Sequence, residues 1–141
     1  MEIELVCQLL LATFLGAFIG LEREIKAKEA GLQTYSLVSL GSCVFTVIAF
    51  YFFQSFGSST IDVVRIIQAI AIGVGFIGAG TIFKGQKGVE GLTTAAGLWA
   101  VAAIGIAVGA KLYFLAIFAT LLAILILAGF GKLEEKFFGQ K

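Results

Sequence analysis

Ile66–Phe83 reads IIQAIAIGVGFIGAGTIF, and the fold turns on how this stretch is taken. Gly73, Gly75 and Gly78 spell G-x-G-x-x-G, with Gly80 two residues further on. A dinucleotide fold needs a strand before that motif, a helix after it and an acidic residue ~20 residues beyond. Glu90 is only twelve residues past Gly78, and the motif lies inside eighteen residues without a charge. The segment from Gly80 to Gly85 is also a near miss to a phosphate loop, because Gln86 stands where lysine is needed. A bilayer core of ~30 Å takes roughly 20 apolar residues per helix. The stretch therefore reads as a membrane span whose glycines serve close packing.

The rest of the chain repeats this pattern. Charge-free runs cover Leu5–Leu21, Ala30–Ile61, Gly91–Ala110 and Leu112–Gly131. Hydrophobic residues make up 60% and charged ones 13%, against roughly 25% charged in soluble domains. The predicted helices are 3–21, 35–56, 63–83, 92–110 and 112–131, forming one all-α, polytopic membrane domain over residues 1–141. Five such spans leave no room for a separate soluble domain. A β-barrel would need alternating strands of about ten residues, and these runs do not alternate. The first run follows Glu2 and Glu4 instead of a basic segment, so it reads as a retained helix and not a cleaved leader.

Basic residues set the expected orientation. Arg23, Lys26, Lys28, Lys84, Lys87, Lys132, Lys136 and Lys141 fall on one side, and only Arg65 and Lys111 on the other. The positive-inside rule then places the N-terminus outside and the tail in the cytoplasm. A net charge of +1 gives no sign of a nucleic-acid partner. There is no histidine, which removes histidine metal sites and acid–base chemistry. Cys7 and Cys43 fall at different depths, so neither a mutual disulfide nor a zinc site is expected.

Small residues at spacing four mark faces for close helix approach in lipid. Gly16 and Gly20 form one pair; Ala71, Gly75 and Ala79 form another row, and Gly105 and Gly109 a third. Gly73, Gly75, Gly78 and Gly80 either pack the bundle or bend the third helix along a transport path, as in broken-helix transporters. Polar residues at membrane depth are few, and each is a candidate site. Glu22, Arg23 and Glu24 close the first helix. They are either an interfacial anchor or an ion site, with the carboxylates pairing with Lys84 or Lys87 or holding Mg²⁺. Asp62 caps the third helix and accepts from Arg65. Arg65 and Gln68 either snorkel outward or point into the bundle. Thr93 and Thr94 are expected to cap the fourth helix, and Trp99 to fill the bundle.

These segments resemble the MgtC/SapB family of membrane proteins. The resemblance is carried by Leu15–Glu24 (LGAFIGLERE), Ala30–Tyr35 (AGLQTY), Asp62, Arg65 and Gln68, Gly73–Phe83 (GVGFIGAGTIF) and Gly91–Ala100 (GLTTAAGLWA). It covers about residues 5–130. The resemblance implies a bacterial inner-membrane protein associated with growth in low magnesium and with virulence. The family is generally viewed as regulatory, with roles in restraining the ATP synthase and in phosphate and cation homeostasis. Gln33 stands where the family often has arginine. The chain reads as a short form without the soluble cytoplasmic domain of longer members, and nothing of that domain carries over. Three function classes stay open. They are a non-enzymatic regulator acting through contacts with itself or a membrane partner, a cation or small-solute transporter built as a homodimer, and an intramembrane enzyme. The last lacks a visible nucleophile–base pair.

Overall fold

The computed structural model describes residues 2–56, 62–85 and 88–139; the side chains of residues 132, 134, 135 and 138 lie outside that description. The elements in order are α1 (Glu2–Ile25), α2 (Leu32–Phe56), α3 (Val63–Ala79), β1 (Phe83–Gly85), β2 (Gly88–Glu90), α4 (Leu92–Gly109), α5 (Tyr113–Ile124), a π-helical turn (Leu125–Phe130) and α6 (Gly131–Phe138). Residues 57–61, between the second and third helices, fall outside the described residues, as do Gln86 and Lys87.

Among the described residues, four helical stretches are long and apolar enough to cross a membrane: α1, α2, α4 and Tyr113–Phe130. Their outer faces are greasy: Phe114 is 84% exposed and Phe76, on α3, 83%. Such a belt is intolerable in water and natural against lipid. The chain is a helical, multi-pass membrane protein.

α4 is the central post. Ten of its eighteen residues are buried, against two of twelve in α5, and it packs against α1, α2, α3 and α5. α1 and α2 form an antiparallel pair along it, α3 leans on a third side and α5 on a fourth. The core joins Leu15 and Ile19 of α1, Tyr35 and Cys43 of α2, Ile70 and Val74 of α3, and Leu98, Val101 and Val108 of α4.

The two tight turns close in the same way. After α1, Ala27 N–H donates to Glu24 O and Lys28 N–H to Arg23 O; after α4, Lys111 N–H donates to Val108 O and Leu112 N–H to Ala107 O. Both are Schellman caps, which need a left-handed residue just past the helix. Ala27 (φ 49°) and Lys111 (φ 64°) fill that place without being glycine. The second cap makes a tight hairpin between the last two long helices.

Two expectations need correction. The third helix ends at Ala79, not at residue 83, and its 17 residues span only about 25 Å. Gly80 ends it, and the next residues turn into an antiparallel hairpin that pairs Phe83 with Glu90, Lys84 with Val89 and Gly85 with Gly88. Glycines with the β-prone Phe83 and Val89 favour a turn and two short strands over a continued helix. Trp99 is also not a filler. It is 57% exposed, because α4 keeps its small residues for the crowded side and turns the indole outward.

Candidate functional site

The densest chemistry lies where α1 ends. Leu21 is the last of a charge-free run, and Glu22, Arg23 and Glu24 follow as the helix leaves the apolar zone. Arg23 is nevertheless buried, at 3% exposure, with its Nε 2.5 Å from Glu22 Oε2. Lys26 stands one turn on, its Nζ 2.7 Å from Glu22 Oε1. The same ammonium donates to Leu127 O at 2.8 Å, tying α1 to the π-helical turn. A carboxylate at a helix C-terminus opposes the helix dipole, and two flanking cations offset that. The partners of Glu22 are therefore on its own helix, and Lys84 is not among them; Lys87 lies outside the described residues.

Glu24 faces away. Its Oε2 accepts the N–H of Leu32 at 3.0 Å, so it serves the first turn of α2. A carboxylate there satisfies an orphan donor and sits at the favourable end of the dipole. Glu22 and Glu24 thus do not converge on one ion. Among the described residues no three His, Cys, Asp or Glu side chains come together to hold a metal. Glu24 instead shares an open cleft of about 410 Å³ with Glu29, Gln33 and Thr34.

Glu29 connects this end to the core. Thr94 Oγ1 donates to Glu29 Oε2 at 3.2 Å, and Tyr35 OH donates to Thr94 O at 3.3 Å. Thr93 is exposed, Thr94 buried, and neither caps α4. The cap position belongs to Gly91 at φ 87°, where a Cβ would land on the Thr81 carbonyl, so no side chain fits.

From Tyr35 a polar seam runs along α2 to Thr46. Tyr35, Ser39, Ser42, Cys43 and Thr46 recur at helical spacing and are all buried. Ser39 Oγ donates to Ala12 O at 2.7 Å, and Cys43 Sγ lies 3.9 Å from Gln8 O. Gln8 closes the far end: its Nε2 donates to Val108 O at 3.1 Å, satisfying a last-turn carbonyl of α4, while its Oε1 has no partner among the described residues. Glycines face the seam from both neighbours. A Cβ on Gly16 would come 2.6 Å from Tyr35 O, and one on Gly20 2.8 Å from Leu32 Cα. On α4, a Cβ at Gly109 would come 2.7 Å from Thr46 Cβ, and one at Gly105 would land on the Ser39 carbonyl. The seam was not singled out from the sequence, although its period was there to find. Cys7 is exposed and Cys43 buried, and both thiols are free.

The other candidates lie on α3. Asp62 Oδ1 accepts from Val64 N–H at 3.0 Å as an N-cap, and its Oδ2 is 3.6 Å from Arg65 Nε. Arg65 and Gln68 are both exposed. Gly78 packs on Ala95, where a Cβ would be at 3.4 Å. Gly80 faces only its own helix, and Gly73 and Gly75 have nothing within 4 Å of an added Cβ. At the opposite end of α1, Lys111 Nζ is 2.6 Å from Glu4 Oε1 on the exposed surface.

Known proteins share this chain's pattern. It is similar to the putative magnesium transporter YhiD of Escherichia coli strain K12, at 38% identity over 136 residues covering 94% of this chain and 63% of that protein. It is similar to protein SapB of Bacillus subtilis, at 42% identity over 127 residues, 87% of this chain and 54% of the relative. Protein MgtC of Brucella abortus strain 2308 is 42% identical over 113 residues, 80% of this chain and 45% of the relative. The chain thus spans 45–63% of the length of these three relatives. No solved structure matches it. The model of the MgtC family takes in residues 9–136, from the first turns of α1 through the seam and the glycine-rich α3 into α6, so the chain belongs to the MgtC family.

Proposed function

We propose that this is a non-enzymatic membrane regulator serving adaptation to low magnesium, or ion and phosphate homeostasis, through lateral contacts with membrane partners. The observation that carries this is the seam. Its hydroxyls and amide bind backbone carbonyls of neighbouring helices and act as glue, which favours a closed post over a pore. The surface left for a partner is the outer face of α3, where Gln68, Ile72, Gly75, Phe76 and Ala79 are exposed together. A small residue between large ones suits a second helix, from another copy or from a partner such as the ATP synthase that the family resemblance suggests. In this reading the N-terminus is outside and the Glu22 cluster cytoplasmic, in a bacterial inner membrane.

A second reading is favoured by the relative named a putative magnesium transporter. There the cation is cargo, the acidic cleft at Glu24 and Glu29 is its entry, and a homodimer completes the path.

Reconstitution in liposomes with ion-flux readout separates the two. The regulator reading expects no flux above empty vesicles, and loss of the co-purifying partner or dimer on Gly75→Leu. Cation flux abolished by Glu29→Gln would overturn it.

A further inference from the structure

α3 leans on α4 and stands off from α2, leaving a lateral groove of about 680 Å³. Its walls include Phe45, Ile70, Val74 and Ile77. Gly41 and Gly73 also line it, and an added Cβ at either would stand in open space. Among the described residues the single charged one in its lining is Arg65, at one end. From Arg65 to Ile77 the groove follows α3 for about 18 Å at 1.5 Å per residue. That is close to the ~15 Å hydrocarbon depth of one leaflet. Its lining over that length is almost wholly aliphatic and aromatic and opens sideways, which suits an acyl chain.

The charged end adds a headgroup preference. Arg65 is exposed and presents a planar fork of donors, the geometry that grips phosphate. Asp62 stands beside it, with Oδ1 engaged by Val64 N–H and Oδ2 turned toward the arginine. A cation and an anion side by side complement a zwitterion better than a plain anion. We propose that this groove holds an acyl chain of an ethanolamine phospholipid, with its phosphate on Arg65 and its ammonium against Asp62. The site lies apart from the outer α3 face assigned to partners, so the two proposals fail separately.

The test is native mass spectrometry of the purified, delipidated full chain in detergent, titrated with phosphatidylethanolamine, phosphatidylglycerol and diacylglycerol. Phosphatidylethanolamine should bind at about tenfold lower concentration than diacylglycerol, a gap of about 1.4 kcal/mol, with phosphatidylglycerol between. Arg65→Ala should erase that order. Gly73→Leu, and independently Gly41→Leu, should remove the adduct of all three lipids without lowering the melting temperature. Adducts that survive both leucines overturn the site. Phosphatidylglycerol binding as tightly as phosphatidylethanolamine overturns the headgroup assignment. A dimer lost on Gly73→Leu with lipid binding intact gives the groove to a second copy instead.

Discussion

The glycines of α4 and those of α3 look alike in sequence and do opposite things. Gly97, Gly105 and Gly109 each meet α2 so closely that a single added carbon would strike Tyr35, Ser39 or Thr46. Gly73 and Gly75 meet nothing. On α4 the missing side chain brings two backbones together and lets the Tyr35 hydroxyl reach the Thr94 carbonyl across the gap. On α3 it leaves a groove on one side and an exposed face on the other. In lipid, a glycine gains meaning from what stands opposite it, and spacing along one helix does not say what that is.

The sharpest way to break this contrast is Gly105→Ala beside Gly75→Ala. The first puts a methyl on a backbone oxygen that cannot move aside and should cost about 3 kcal/mol. The second should stay within about 0.5 kcal/mol of wild type, helped by better helix propensity. Equal melting temperatures in detergent would end the distinction. Next in size is the ion pair at the end of α1. Arg23→Met leaves Glu22 beside Lys26 alone and should cost about 2 kcal/mol, below the full loss for a buried pair because Glu22 keeps that partner. The double variant with Glu22→Gln should melt higher than Arg23→Met alone. Smaller again is Tyr35→Phe, which removes the bond to Thr94 O and should cost about 1 kcal/mol by the same readout.

The smallest effect lies at the Glu4–Lys111 pair. Its hydrogen bond with Glu4 holds the Lys111 ammonium above the ordinary value of 10.5. The same bond holds Glu4 below its ordinary 4.5, so what the pair contributes is complete between the two values and is lost as pH rises through the Lys111 value or falls through that of Glu4. The difference in melting between Lys111→Ala and wild type should therefore stay constant across neutral pH, and a difference that changes there would show that it does not come from the pair.

Much of the architecture was legible because charge is costly in lipid: α1, α2 and α4 begin and end within a few residues of the charge-free runs. The miss at α3 has a physical cause. Thr81, Ile82 and Phe83 are apolar enough to continue a span, yet Gly80 and Gly91 let the backbone fold back as a hairpin. Thr93 and Thr94 looked like caps because they begin the fourth helix just after Gly91, but Gly91 itself takes the left-handed cap position and frees Thr94 to reach Glu29. Glu22 and Glu24 looked like a pair because only Arg23 separates them, whereas helix geometry sends them to different partners. The seam from Tyr35 to Thr46 went unread because hydroxyls scattered among phenylalanines look unremarkable until α1 and α4 close over them.

The π-helical turn at Leu125–Phe130 carries a consequence for how this tail can vary. Each π turn holds about one residue more than an α turn, so the segment fits one extra residue into nearly the angular span of a regular helix. Removing one residue there would restore a regular helix and leave α6 facing almost as before, whereas the same deletion within α5 would swing everything beyond it by about 100°. The Leu127 carbonyl that Lys26 holds lies inside the π segment, so that bond is what the deletion would strain. The tail thus has one place where its length can change without changing its aim.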